Sequence, residues 1–306
     1  MSRASFIQQS YNGILPIAKS NFLEDRSISL LDWVLVGHGE SYSDCGKTLV
    51  RGCLNRDHHP NTLDGFEGGG VVVELYKRSC MRRECPTCYE SWAGKEAGKV
   101  EYRLKEFKTK NFRKPIHLSV SIPIKDYNLP FIDVRKLAYK LLRKAGLFGG
   151  CSVFHPFRRY CLECGHKPIN SHLKICPNCK NNRFGWYFSP HFHILGYGWI
   201  RGTKEIYEAT EWVIKNLGIR KSLFGTIHYQ LSHVGFNPKY HSVTWFGALS
   251  YAKLKVRPYK PEKHLCPICK AEFVKLDFDI FGGLDPPTRK EGFYYIVNGK
   301  CYDFDS

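Results

Sequence analysis

The chain has 306 residues, 43% of them hydrophobic, enough to bury a sizeable core and to carry one main domain with appendages. Its 46 Lys and Arg against 28 Asp and Glu leave a net charge of +18, which favours a polyanionic partner through phosphate contacts and counterion release. No apolar stretch approaches a membrane span, no basic amphipathic helix with a broad apolar face suits a lipid surface, and the opening MSRASFIQQSYNGILPIAKS lacks a leader pattern, so a cytoplasmic protein without a membrane partner is expected.

Thirteen cysteines in such a chain read as metal ligands before disulfides. Residues 1 to about 75 are dotted with glycine and read as irregular, ending in GFEGGGVVVELYKRSC, a glycine loop that feeds a short strand. Around that strand, DCGKTLVRGC and SCMRRECPTC supply Cys45, Cys53, Cys80, Cys85 and Cys88. Four of those five could close a zinc site, with His58 or His59 able to stand in for one. From YESWAGKEAGKVEYRLKEFKTKNFRK the spacing predicts a long helix with Trp92, Ala97, Val100, Leu104 and Phe107 on one face. Lys99, Arg103, Lys105, Lys108 and Lys110 make its other face basic, suited to water or to a phosphate backbone. Residues 1–110 are therefore expected to form a Cys-rich zinc-binding region ending in a basic helix.

A compact alternation follows over 111–257. PIHLSVSIPI reads as a strand, FIDVRKLAYKLLRKAG as a helix closed by Gly146, and GGCSVFHPF as a second strand, where Cys151 reads as an ordinary buried cysteine. Then CLECGHKPINSHLKICPNC sets Cys161, Cys164, Cys176 and Cys179 as two C-x-x-C knuckles eleven residues apart, a zinc-ribbon pattern; two disulfides are the alternative. In FSPHFHILGYG the apolar, aromatic run predicts a strand on which His191 and His193 share one face, placed to grip a metal ion or simply hydrogen-bonded to each other. GTKEIYEATEWVIKNLG reads as one helix, FGTIHYQLSHVGF as a shorter one and HSVTWFGALSY as a closing strand. The order predicts an α+β domain, an antiparallel sheet with helices on one face and the ribbon (158–184) inserted in a hairpin connection. Residues 258–306 read as an accessory lobe holding Cys266 and Cys269, half a site for which His264 and Cys301 are candidate partners.

His-hydrophobic-His on a central strand followed by a helix bearing tyrosine resembles the HUH endonucleases. More narrowly, CMRRECPTCYESWAGKEA, GGCSVFHPF, PHFHILG, TIHYQLSHVG and HSVTWFGALSYAKL, in this order across residues 80–255, resemble the rolling-circle replication initiators (Rep proteins) of archaeal plasmids and viruses. The resemblance implies an RRM/ferredoxin-like core and a metal-dependent nickase that cuts one DNA strand and becomes joined to its 5′ phosphate. It implies Mg or Mn held by His191, His193 and a third ligand, with one to three zinc ions elsewhere. His155, on the preceding strand once the ribbon is looped out, is the first choice for that ligand, and His117 is the second. Many family members carry a carboxylate or glutamine at the equivalent place. Tyr229 is the expected nucleophile, with Tyr251 its rival, and His233, four residues on, could take the phenolic proton or help bind metal. Single-stranded DNA at a replication origin, with a host helicase and polymerase, would be the partners of such a plasmid- or virus-encoded protein. The competing class is a zinc-ribbon nucleic-acid-binding module without catalysis. An amidohydrolase-type enzyme is disfavoured, because too little chain follows His193 for a β/α barrel.

Overall fold

The computed structural model describes residues 32–59, 69–107, 114–168, 174–259, 265–276, 292–297 and 300–303. Its strands and helices, in chain order, are β1 (Val34–Leu35), β2 (Thr48–Cys53), β3 (Val71–Lys77), α1 (Tyr89–Glu106), β4 (Ile116–Ser121), α2 (Phe131–Lys144), β5 (Leu147–Cys161), β6 (Phe184–Gly198), α3 (Thr203–Thr210), β7 (Val213–Ile219), α4 (Leu223–Leu231), β8 (Gly235–Phe236), β9 (Val243–Gly247), β10 (Val274–Leu276), β11 (Gly292–Val297) and β12 (Lys300–Asp303). The chain is α+β with antiparallel sheets. No helix among the described residues is long and apolar enough to cross a membrane.

Two units divide the chain. The first takes residues 32–40 and 83–259; the second takes 41–82 and the C-terminal stretch. The sequence reading attached 41–82 to the helix that follows and kept the tail separate, whereas these two remote stretches build one five-stranded sheet, β10-β2-β3-β11-β12. Residues expected to be irregular thus include a six-residue strand, β2. Its Gly52 is a packing device: a Cβ there would run into the Leu276 side chain of neighbouring β10.

In the first unit the main sheet runs β7-β4-β6-β5-β9 with every neighbouring pair antiparallel. Alternation along β6 sends Phe192 and Ile194 into one core with Val134, Ala138, Leu141 and Leu142 of α2. Leu195 and Tyr197 go to the opposite core with Ala93, Ala97, Val100 and Leu104 of α1 and Ile227 and Leu231 of α4. Helices therefore cover both faces, not one. On the second face α1 and α4 pack together over the sheet, close enough that a Cβ at Gly94 would lie 3.9 Å from His228 of α4.

Two local expectations also change. GTKEIYEATEWVIKNLG is split: α3 stops at Thr210, Glu211 takes a left-handed conformation (φ 64°), and β7 then pairs with β4. Thr210 Oγ1 donates back to the Ile206 carbonyl (2.6 Å), while buried Trp212 anchors the turn by donating from Nε1 to Asp126 Oδ2 (2.7 Å). Beyond it the β-branched pair Val213–Ile214 favours extended chain. On α1, Arg103 leaves the basic face: it is buried and donates to the carbonyls of Leu249, Ser250 and Leu254. Lys99 and Lys105 stay outside, paired with Glu96 and Glu101, and Lys108 and Lys110 lie outside the described residues.

Candidate metal centre and its surroundings

The long β5–β6 hairpin sets the centre. Its register puts His155 opposite His191 and Val153 opposite His193, so all three histidines stand on the α4-bearing face. Their rings are 4.7–5.4 Å apart, and one nitrogen from each lies within 4.8 Å of the others. His155, expected from its strand, joins the pair; His117 does not. Instead His117 stands behind His193, with its Nε2 2.9 Å from His193 Nδ1. Arg220 Nε donates to His117 Nδ1 (3.0 Å), so the neutral His117 ring carries its proton on Nε2. The Gln230 amide lies 2.8 Å from that same nitrogen while its Oε1 is buried without a partner, so turning the amide over would give the carbonyl a donor.

All three rings are held neutral. Burial first, then neighbouring positive charge, depresses all three pKa values, that of His191 to about 3, so at neutral pH the rings are uncharged. His191 Nδ1 donates to the Ser189 carbonyl (2.8 Å), which leaves Nε2 as the free acceptor. His155 is 1% exposed, and its Nε2 has no hydrogen-bond partner among the described residues. Such an orphaned atom costs roughly 1–3 kcal/mol unless something satisfies it. Three convergent imidazoles, one with an orphaned nitrogen, fit a metal ion, and an all-nitrogen donor set suits a transition ion better than Mg.

The helix carrying the expected nucleophile does come to this face. α4 starts where Ser222 caps it by accepting from the Gly225 amide (2.9 Å), and it ends at Leu231, so His233 lies just past the last turn. His233 stacks edge-on against His155 (centroids 4.5 Å), and the Tyr229 ring lies 4.5 Å from His233. Burial pushes the Tyr229 phenol up to about 12, with Arg159 opposing the rise. Tyr251 is placed differently, under the Arg103 guanidinium (4.5 Å) and 67% exposed.

One residue the sequence reading missed is Arg158. It donates from Nη2 to Ser121 Oγ (2.8 Å), its Nε is buried without a partner among the described residues, and its charge acts on all three histidines. The available signal was the pair Arg158-Arg159 directly after His155 on one strand.

The thiolate groups follow their spacing in part. Cys161, Cys164, Cys176 and Cys179 bring their sulfurs within 4.8 Å of one another, in four free cysteines that could hold zinc. β5 runs on to Cys161 and β6 restarts at Phe184, so the insert is shorter than expected and sits at the hairpin tip. Cys53 departs from the N-terminal set and joins His59, Cys266 and Cys269. His264 and the Cys301 side chain lie outside what is described, and among the described residues His58 is not a member. Of the other N-terminal cysteines, Cys85 and Cys88 sit in a tight turn that opens α1.

On the same unit, a cleft of about 870 Å³ opens along the edge strand β9, between α1 and α2. Trp92, Tyr102, Trp245, Tyr251 and Tyr259 line it together with Arg83, Lys99, Arg135 and Arg257. No protein-family model matches the chain, and no match is found among curated proteins or solved structures.

Proposed function

We propose that this protein is a metal-dependent single-strand DNA endonuclease and strand transferase of the HUH type, acting as a rolling-circle replication initiator. The observation that carries the reading is the line His155–His233–Tyr229: a nucleophile and a base stacked beside three neutral imidazoles that converge on one point. A divalent ion held by His155, His191 and His193 would polarise the scissile phosphate as a Lewis acid. Arg158 supplies fixed positive charge beside it. Tyr229 Oη attacks the phosphorus, and the bond from phosphorus to the 3′ oxygen breaks. His233 takes the phenolic proton and returns it to the departing 3′ oxygen, leaving a free 3′-OH and a 5′-phosphotyrosyl link. The reverse sequence joins strands. An unaided phenol pushed up to about 12 is a weak nucleophile at neutral pH, so the reading requires that base.

The net charge of +18 and the aromatic, arginine-rich cleft support single-stranded DNA as the partner, since unpaired bases stack on exposed rings while phosphates meet the cations. The test is incubation with single-stranded DNA and Mn, followed by denaturing electrophoresis. A denaturant-stable adduct, lost in His191→Ala while DNA binding persists, is expected. DNA binding with no metal-dependent adduct under any condition would leave the non-catalytic zinc-ribbon module as the better description.

A further inference from the structure

The second unit assembles a ligand set that spacing did not reveal. Cys53 ends β2, His59 follows six residues later, and Cys266 and Cys269 belong to the CPIC turn more than 200 positions along. Cys53 Sγ lies 3.4 Å from Cys269 Sγ, and Cys266 Sγ lies 3.4 Å from His59 Nε2. All four donor atoms fall within 4.8 Å of one another. The ribbon shows the same sulfur spacing, 3.4 Å for Cys161–Cys179 and 3.7 Å for Cys164–Cys176.

The backbone repeats as well. In CPNCK the residue after the knuckle, Lys180, is left-handed (φ 60°); its amide donates to the Cys176 carbonyl (2.9 Å), and the Cys176 amide donates to Asn181 (2.7 Å). In CPICK, Lys270 is left-handed (φ 62°); its amide donates to the Cys266 carbonyl (3.0 Å), and the Cys266 amide donates to Ala271 (2.8 Å). A left-handed lysine is uncommon enough that two in the same place indicate a common constraint. His59 is oriented independently: its Nδ1 donates to the Gly70 carbonyl (2.7 Å), which leaves Nε2 facing the sulfurs.

We propose that Cys53, His59, Cys266 and Cys269 bind one structural zinc ion that clasps the two remote stretches of the second unit together. Three thiolates and one imidazole form a closed tetrahedral set with no open position for chemistry. Strand pairing already joins the two stretches, but among the described residues the buried core beneath it is small. One buried cluster holds Val50, Val73, Leu75, Leu276 and Tyr294; the other, among the described residues, holds only Cys53, Val72 and Cys266. A core that small rarely folds without a staple, and a link between positions this far apart in sequence removes a large loop-closure cost.

Elemental analysis of the full chain tests it. Cys266→Ser should lose one zinc equivalent relative to the parent, Cys176→Ser a separate one from the ribbon, and the double variant both. Zinc unchanged in Cys266→Ser overturns the proposal. Should that variant aggregate, the parent chain itself decides through alkylation mapped by mass spectrometry. Cys53, Cys266 and Cys269 should resist a maleimide until a chelator is added and then react together. Immediate labelling without chelator, or a mass two hydrogens low that marks a Cys53–Cys269 disulfide, overturns it. Hydrogen exchange should show β2 and β10 losing protection on chelation in step with the labelling.

Discussion

The histidine centre and the cysteine groups hold similar numbers of donor atoms, but they are built for opposite ends. The ribbon and the second-unit group each bring four donor atoms together, the first from two C-x-x-C turns, the second from one such turn with Cys53 and His59, and several of the sulfurs are buried. The histidine centre offers three neutral rings from the middle of two long strands, with a tyrosine and a fourth histidine stacked alongside. Four-ligand thiolate sets close around a metal and lend it to folding, whereas three-ligand sets leave room for a substrate oxygen. Position follows from this difference. The cysteines sit where the chain needs tying, and the histidines sit where the β5–β6 hairpin already fixes them by its own hydrogen-bond ladder.

The largest effect expected is Tyr229→Phe. Removing one oxygen keeps the ring that packs against His233, so fold, zinc content and DNA affinity should stay as in the parent while covalent capture vanishes. Denaturing electrophoresis with labelled single-stranded DNA reads this directly. An adduct of parental yield would remove Tyr229 from the chemistry.

Graded chelation sharpens the comparison itself. Three uncharged imidazoles bind an ion far less tightly than thiolates that neutralise its charge, so a mild chelator should empty the histidine centre first. Cleavage should disappear, and return with added Mn, at chelator levels that leave the zinc count and the circular dichroism spectrum unchanged. Simultaneous loss of zinc, fold and cleavage would mean that the two kinds of site are not separable.

Much of this difference was legible in the residues, and the parts that were not have physical reasons. Cys161, Cys164, Cys176 and Cys179 are local in sequence, so their spacing alone defines the group. His155 could be paired with His191 and His193 because looping out the ribbon leaves a plain hairpin. Cys53 and His59 could not be matched to Cys266 and Cys269, since nothing short-range links positions 53 and 269. WVIKNLG was misassigned because a short apolar run fits helix and strand alike, and the deciding event is the Trp212–Asp126 hydrogen bond, a contact between distant segments. Arg103 looked like a surface cation, but its partners are three carbonyls on a remote loop.

A smaller effect is expected of His233→Ala. If His233 carries the proton between Tyr229 and the 3′ oxygen, its loss should slow adduct formation by roughly 10²–10⁴ at neutral pH, the usual range for a general acid–base group. DNA affinity should be unchanged. Raising the pH should recover part of the rate, because a phenol near 12 ionises increasingly without help. Single-turnover rates measured from pH 7 to 10 check both points, and a variant with parental rates throughout would reduce His233 to a packing role beside His155.

The smallest expected effect separates the cleft from the metal centre. Tyr251 is 67% exposed, and its ring is held in place by Arg103, which also bonds the carbonyls of Leu249, Ser250 and Leu254. A ring fixed that way loses little freedom when a base stacks on it. One stacked base contributes about 1–3 kcal/mol, so Tyr251→Ala should weaken single-stranded DNA binding by roughly 5- to 150-fold. Tyr251→Phe keeps the stacking face and should bind nearly as the parent does. At saturating DNA both variants should form the adduct at the parental single-turnover rate, because neither substitution touches the histidine centre. Loss of the adduct in Tyr251→Phe with affinity intact would reverse the two assignments, making Tyr251 the nucleophile and Tyr229 a buried neighbour of His233.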